Sequence, residues 1–174
     1  MVAYWLNKYG IQGRYNACAV PPEELQNFAR SLKEGAYHGV NVTIPHKEKI
    51  IPFLDSCDDV ASAIGAVNAV TVENGKLTGT NTDVYGFLEH LRQSVPSYNK
   101  QHAIVLGAGG AARAVCKALD MDGFSEILIC ARDVQKAETI KHIAHAKVKL
   151  HAWDDYKKLL PACNLLVNTT PLGM

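Results

Sequence analysis

Leu106-Gly107-Ala108-Gly109-Gly110-Ala111-Ala112 follows a short apolar run at 103–106 and leads into a segment with Ala114, Val115 and Ala118 along it. The stretch reads as strand, tight turn and helix, and it matches G-x-G-x-x-G/A with Ala112 in the third small position. Glycine permits the turn and the close approach of a pyrophosphate, while N–H groups at the helix start and the helix dipole favour an anion. A bare match could be a structural turn. The strand before it and the helix after it make it a nucleotide-binding loop.

Downstream, the pattern continues as a helix to about residue 121, a strand at 127–130, a second helix, a strand near 148–151, a helix near 154–160 and a strand at 165–167. Alternating strands and helices imply a parallel sheet of the doubly wound, Rossmann-like kind. The end of the second strand decides the nucleotide, because an acid there suits a free ribose hydroxyl and a base suits a phosphate. Here stands Cys130-Ala131-Arg132-Asp133-Val134-Gln135-Lys136. Arg132 and Lys136 favour the 2′-phosphate of NADP. Asp133 leaves two alternatives: a cap on the next helix, or a ribose contact that would favour NAD.

Upstream the texture differs. Val2, Trp5, Leu6 and Tyr9 have helical spacing, residues 14–20 can form a strand, and Pro21-Pro22-Glu23-Glu24 opens a helix with Leu25, Phe28, Ala29 and Leu32 on one face. A strand at 39–44 then runs into Pro45, which suits the first turn of a helix and would leave Lys47 one turn in. A short helix is expected near 58–64. Strands at 67–72 and 76–79 flank Glu73-Asn74-Gly75, and Asn-Gly is a strong hairpin signal. The hairpin delivers Asn81-Thr82-Asp83 to the start of a helix carrying Val84, Phe87, Leu88 and Leu91. Residues 94–101 connect the two parts, giving units at 1–94 and 100–174.

In isolation Lys47 reads as a solvated lysine, Asp83 as a helix cap, and Asn68 and Asn81 as turn residues. Composition narrows the partners. The chain has 174 residues, 48% of them hydrophobic, and 18 basic against 17 acidic residues give a net charge of +1. That balance gives no reason to expect nucleic acid or a membrane surface, and small-molecule partners are favoured. The five cysteines are scattered without a C-x-x-C, which argues against a disulfide framework or zinc site and for a reducing compartment. His142 and His145 lack a nearby third ligand, so no metal is expected. No apolar leader or membrane-length stretch is visible, and the expected location is cytoplasmic.

Several blocks together resemble the shikimate dehydrogenase family: G-V-N-V-T-I-P-H-K at 39–47, I-G-A-V-N at 64–68, N-T-D at 81–83, G-F-L at 86–88, L-G-A-G-G-A-A-R-A at 106–114 and N-T-T-P-L-G-M at 168–174. Their order and spacing fit along essentially the whole chain. The resemblance implies α/β architecture: a small substrate-binding unit followed by part of a Rossmann-like sheet. It implies reversible NADPH-dependent reduction of 3-dehydroshikimate to shikimate in aromatic amino acid biosynthesis, by a monomer or homodimer. Lys47 matches the catalytic lysine and Asp83 its partner, while Thr43, Asn68 and Asp83 match positions that hold substrate hydroxyls. Gly107, Ala108, Gly109, Gly110 and Ala111 match the pyrophosphate loop, and Arg132 the phosphate-binding arginine. Lys136, Thr169 and, near the nicotinamide, Asp59 complete the implied cofactor site.

The chain departs from the family pattern in places. Ala131 replaces an asparagine and Lys136 an arginine, which alters the donors for the 2′-phosphate. The family's first strand and a serine-containing, carboxylate-gripping loop are not matched, nor is the remainder of its Rossmann domain. The expectation is therefore a piece truncated at both ends with little or no turnover alone. The alternatives are an NAD-dependent quinate/shikimate dehydrogenase and a non-catalytic binding remnant.

Overall fold

The computed structural model describes residues 2–95 and 97–172. Helix α1 (Val2–Lys8) leads into a largely exposed segment without regular structure, and α2 (Leu25–Lys33) then buries Leu25, Ala29 and Leu32. Next come β1 (Gly39–Asn41), β2 (Ser56–Cys57), α3 (Asp59–Ile64), β3 (Ala69–Glu73), β4 (Lys76–Thr80) and α4 (Asp83–Ser94). The second part runs β5 (His102–Leu106), α5 (Gly110–Asp122), β6 (Glu126–Ala131), α6 (Val134–Glu138), β7 (Lys147–Ala152), α7 (Tyr156–Leu159) and β8 (Leu165–Asn168).

Two four-stranded sheets result. The first has order β1-β3-β4-β2, antiparallel except for the β2–β4 pair, and its hairpin turns at Asn74 and Gly75, whose φ values of 52° and 73° are those of a two-residue primed turn. The second is wholly parallel with order β7-β6-β5-β8. Its central strands β5 and β6 are almost continuously buried, as expected when helices cover both faces. Helices α4 and α5 pack on one face with Val84, Leu88, Val115 and Leu119, while Trp153, Tyr156 and Leu159 cover Ile104 and Leu128 on the other. A doubly wound sheet thus follows from the sequence alternation.

The order reverses between β5 and β8. At such a switch point the connections leave in opposite directions, opening a crevice at the carboxyl ends of the strands. The Gly107 loop emerges from β5 there, and Thr169 follows β8.

Four expectations are corrected. Residues 14–20 form no strand, since none of the described strands pairs with them; residues 14–19 are exposed and Val20 is half-buried. The strand expected at 39–44 ends at Asn41, and the helix expected from Pro45 is a series of turns following a cis Ile44–Pro45 peptide. Tertiary bonds replace the helix ladder there: Val42 N–H donates to Asn68 C=O at 2.8 Å, and Val67 N–H to Lys47 C=O at 2.8 Å. The helix expected near 154–160 reduces to α7 between two 3-10 turns. The α2 segment also opens as a 3-10 turn, with Pro22 at its first position. Gly173 and Met174 of the closing sequence block lie outside the described residues.

Candidate active site

Three segments distant in sequence meet at Asp83. Asn81 is buried; its amide donates to the Ala66 carbonyl at 2.9 Å, and its Oδ1 accepts from the Asp83 N–H at 3.0 Å. Asn68 accepts from Thr82 N–H at 2.9 Å and donates from Nδ2 to Asp83 Oδ1 at 2.8 Å. Lys47 Nζ donates to Asp83 Oδ2 at 2.5 Å. Both carboxylate oxygens are therefore engaged by side chains, and the helix-cap reading of Asp83 gives way to an ion pair across the fold. The lysine is well covered, at 15% exposure, while Asp83 keeps 35%. Thr43 stands exposed at the head of the same turn, its carbonyl accepting from His46 N–H at 2.8 Å.

Lys47 also borders a cavity of about 460 Å³, a size typical of small-molecule sites. The opposite wall is the Gly107–Gly110 loop, with Ala131, Arg132, Asp133 and Lys136 after β6, Trp153 after β7, and Thr169 after β8. Its lining carries four cations, Lys47, Lys49, Arg132 and Lys136, against Glu48 and Asp133. With the amides at the start of α5, that excess favours an anionic ligand.

The loop suits a pyrophosphate by shape. Gly107 has φ +112°, and a Cβ there would meet Thr169 Oγ1 at 2.7 Å. Thr169 itself is tied down, its hydroxyl donating to the Leu106 carbonyl at 2.6 Å, so it shapes the loop. Gly109 has nothing within 4 Å of its would-be Cβ and opens to the cavity, whereas a Cβ on Gly110 would press on the Lys47 stem at 3.1 Å. Ala111, the second residue of α5, follows just behind the lining.

Arg132 is exposed beside the cavity. Asp133 Oδ1 accepts from the Lys136 N–H at 3.0 Å, the capping role that was one of its two alternatives. Asp59 is exposed in the first turn of α3 and does not line the cavity. Burial pushes the thiols of Cys116 and Cys130 up to about 12 and about 11, so neither is poised as a nucleophile. Among the described residues no three His, Cys, Asp or Glu side chains form a metal site, and no helix is long and apolar enough to cross a membrane.

Sequence reasoning left Asn81 as a turn residue and passed over Glu48, Arg113 and Trp153. Glu48 had one available signal, its position next to Lys47. Trp153 had another, its place just after the third strand of the parallel sheet.

A parallel sheet with an anion cradle at its switch point, faced by a lysine–carboxylate pair from a second α/β unit, defines a two-unit protein of the dinucleotide-binding class. The family profile for the shikimate dehydrogenase substrate binding domain matches residues 1–70, and that for shikimate / quinate 5-dehydrogenase matches residues 89–171. The chain belongs to the shikimate dehydrogenase family. It is 45% identical over 172 residues to the shikimate dehydrogenase (NADP(+)) of Brucella abortus strain S19, covering 98% of this chain and 60% of that one. The crystal structure of the Aquifex aeolicus shikimate dehydrogenase matches with a TM-score of 0.87 at 37% identity, over 99% of this chain and 63% of the other. The Thermus thermophilus shikimate 5-dehydrogenase in complex with NADP(H) and shikimate matches with a TM-score of 0.80 at 35% identity, over 97% and 61%. The chain thus spans about 60% of the length of the curated relatives it matches.

Proposed function

We propose that the chain carries the cleft of an NADP-dependent shikimate dehydrogenase, which reduces 3-dehydroshikimate to shikimate reversibly in aromatic amino acid biosynthesis. The observation that carries this reading is the Lys47–Asp83 pair at 2.5 Å, with the lysine stem against Gly110 of the anion cradle. The names and complexes of the relatives support it. Residues 1–94 would serve the substrate and residues 100–174 the cofactor.

When bound, NADPH supplies the hydride. Gly107, Ala108, Gly109, Gly110 and Ala111 would hold its pyrophosphate, Thr169 would shape that loop, and Arg132 and Lys136 would take the 2′-phosphate. Two cations beside the cavity, Arg132 and Lys136, support NADP over NAD, while Asp133 has a capping task of its own on α6.

Reducing a ketone places negative charge on its oxygen. Lys47 Nζ would deliver a proton there and remove it in the reverse direction, a role contributing roughly 10²–10⁴-fold. Asp83 orients the ammonium and would accept from a neighbouring substrate hydroxyl. Asn68 holds the second Asp83 oxygen in place, and it and Thr43 offer polar contacts to further hydroxyls.

The test is ligand binding by the purified 174-residue chain, together with shikimate-dependent NADP reduction. NADP should raise the melting temperature, and shikimate should raise it further in wild type but not in Lys47→Ala. Any turnover should fall about a hundredfold in Lys47→Ala. No response to either ligand, or equal measurable turnover by wild type and Lys47→Ala, would overturn the reading.

A further inference from the structure

The cavity contains a carboxylate to which the chemistry above assigns no task. Glu48 follows Lys47 in sequence and lines the same cavity as Arg132 and Lys136. It faces the dinucleotide half, with Oε2 3.6 Å from Arg113 Nη2 and Oε1 3.9 Å from Lys136 Nζ. The two cations differ in freedom. Arg113 is 12% exposed and held in place, Nη1 donating to the Ile64 carbonyl at 2.9 Å and Nη2 to Thr139 Oγ1 at 2.7 Å. Lys136 is 52% exposed, and its ammonium sits on a flexible stem. Asp133, the other carboxylate of the lining, bonds the Lys136 backbone, which leaves Glu48 as the carboxylate paired with that ammonium among the described residues.

Building on the NADP reading, we infer that Glu48 is a specificity-determining residue: it holds the Lys136 ammonium across the cleft and yields it to the 2′-phosphate. Two anions then compete for one cation. The phosphate gains Lys136 only by breaking the Glu48 pair. A dinucleotide without that phosphate leaves the pair intact. Selectivity is a difference of affinities, set by repulsive elements as well as attractive ones. Glu48 therefore restrains the preference for NADP over NAD and speeds NADP release, while Arg113 keeps Glu48 fixed beside the lysine.

Calorimetric titration of the 174-residue chain with 2′,5′-ADP and 5′-AMP at fixed ionic strength tests this, since the two differ only by the phosphate in question. Glu48→Gln should bind 2′,5′-ADP about threefold or more tightly while 5′-AMP changes less than about twofold, a separation expected of a local charge effect. Glu48→Asp keeps a carboxylate near Arg113 but withdraws it from Lys136, and should give a smaller gain of the same sign. It also carries the test if Glu48→Gln loses its cooperative thermal transition. On a Lys136→Gln background the gain should disappear.

A Glu48 that only struts the two halves would shift both ligands alike or neither, and a gain that persists without Lys136 would have another origin. Each of these results overturns the inference and leaves the cofactor reading standing. Absence of 2′,5′-ADP binding by the wild-type chain overturns both.

Discussion

The Cβ of Lys47 lies 3.1 Å from where a Cβ on Gly110 would fall, so the lysine stem rests on the first residue of the cofactor-side helix. This contact brings Lys47, the proposed proton donor, to the wall of the cavity lined by the Gly107–Gly110 loop. Two neighbouring glycines consequently have different tasks.

Gly110→Ala should strain the cleft itself. Its methyl would meet Lys47 Cβ and Cδ at 3.1 and 3.3 Å and Ala66 Cβ at 3.6 Å, a crowding that costs about 1–3 kcal/mol. Gly109→Ala meets nothing within 4 Å, and its extended backbone, φ −94° and ψ −170°, accepts an alanine. It should keep the wild-type melting temperature yet weaken NADP about tenfold, because the methyl enters the phosphate cradle. Thermal melts with NADP titrations of both variants check the contrast.

Asn81→Ala should cost about 2–3 kcal/mol, since it leaves the buried Ala66 carbonyl without its donor. It should also lower any shikimate-dependent turnover, because Asp83 loses the bond that fixes its backbone. Urea denaturation and rate measurements on one preparation separate the two effects.

Arg132→Ala should leave stability unchanged, since the side chain is exposed. It should weaken 2′,5′-ADP by about tenfold, as expected for loss of a charge-assisted bond to phosphate, and barely affect 5′-AMP. Equal losses for both ligands would place Arg132 away from the 2′-phosphate.

The buried Asp122 should make stability depend on acid pH. Desolvation alone would raise its pKa, but bonds from Tyr98 Oη at 2.5 Å and Arg92 Nε at 2.8 Å, with Lys100 Nζ at 3.1 Å, outweigh it and hold the carboxyl below the usual range. Because the folded pKa lies below the unfolded value near 3.8, the stabilisation is complete above that value and is lost as pH falls through the folded pKa. Asp122→Asn should be destabilised by about 2 kcal/mol at neutral pH, and its stability should fall less steeply below about pH 4. Burial and the bond to Asp122 push the Tyr98 hydroxyl up to about 12, so this donor stays protonated throughout. Urea midpoints at neutral and acid pH test the prediction.

Much of the parallel half was legible because its signals are local. The apolar run of β5, the glycine turn and the small-residue face of α5 each point to the same element. The Asn74-Gly75 hairpin was legible for the same reason, since two left-handed residues in succession admit few alternatives. Residues 14–20 misled, because residue types show that a segment can form a strand and not that a partner strand lies beside it. Pro45 misled through its preference for a first helical turn, a bias overridden by the bonds from Val42 to Asn68 and from Val67 to Lys47, residues far apart in sequence.

The sequence by itself determined the order of elements, the glycine cradle and, through family blocks, the identities of Lys47 and Asp83. Periodicity and turn chemistry act over a few residues, so these features survive without any knowledge of the fold. The resemblance already implied Asp83 as the partner of Lys47; only the tertiary structure decided that Asn68 holds the second Asp83 oxygen, that Thr169 serves the loop through Leu106, and that Glu48 faces Lys136. The physical reason is that a carboxylate or a hydroxyl has several possible partners within chemical reach, and packing of the first sheet against α2 and α3 and of the second against α4 and α5 selects among them.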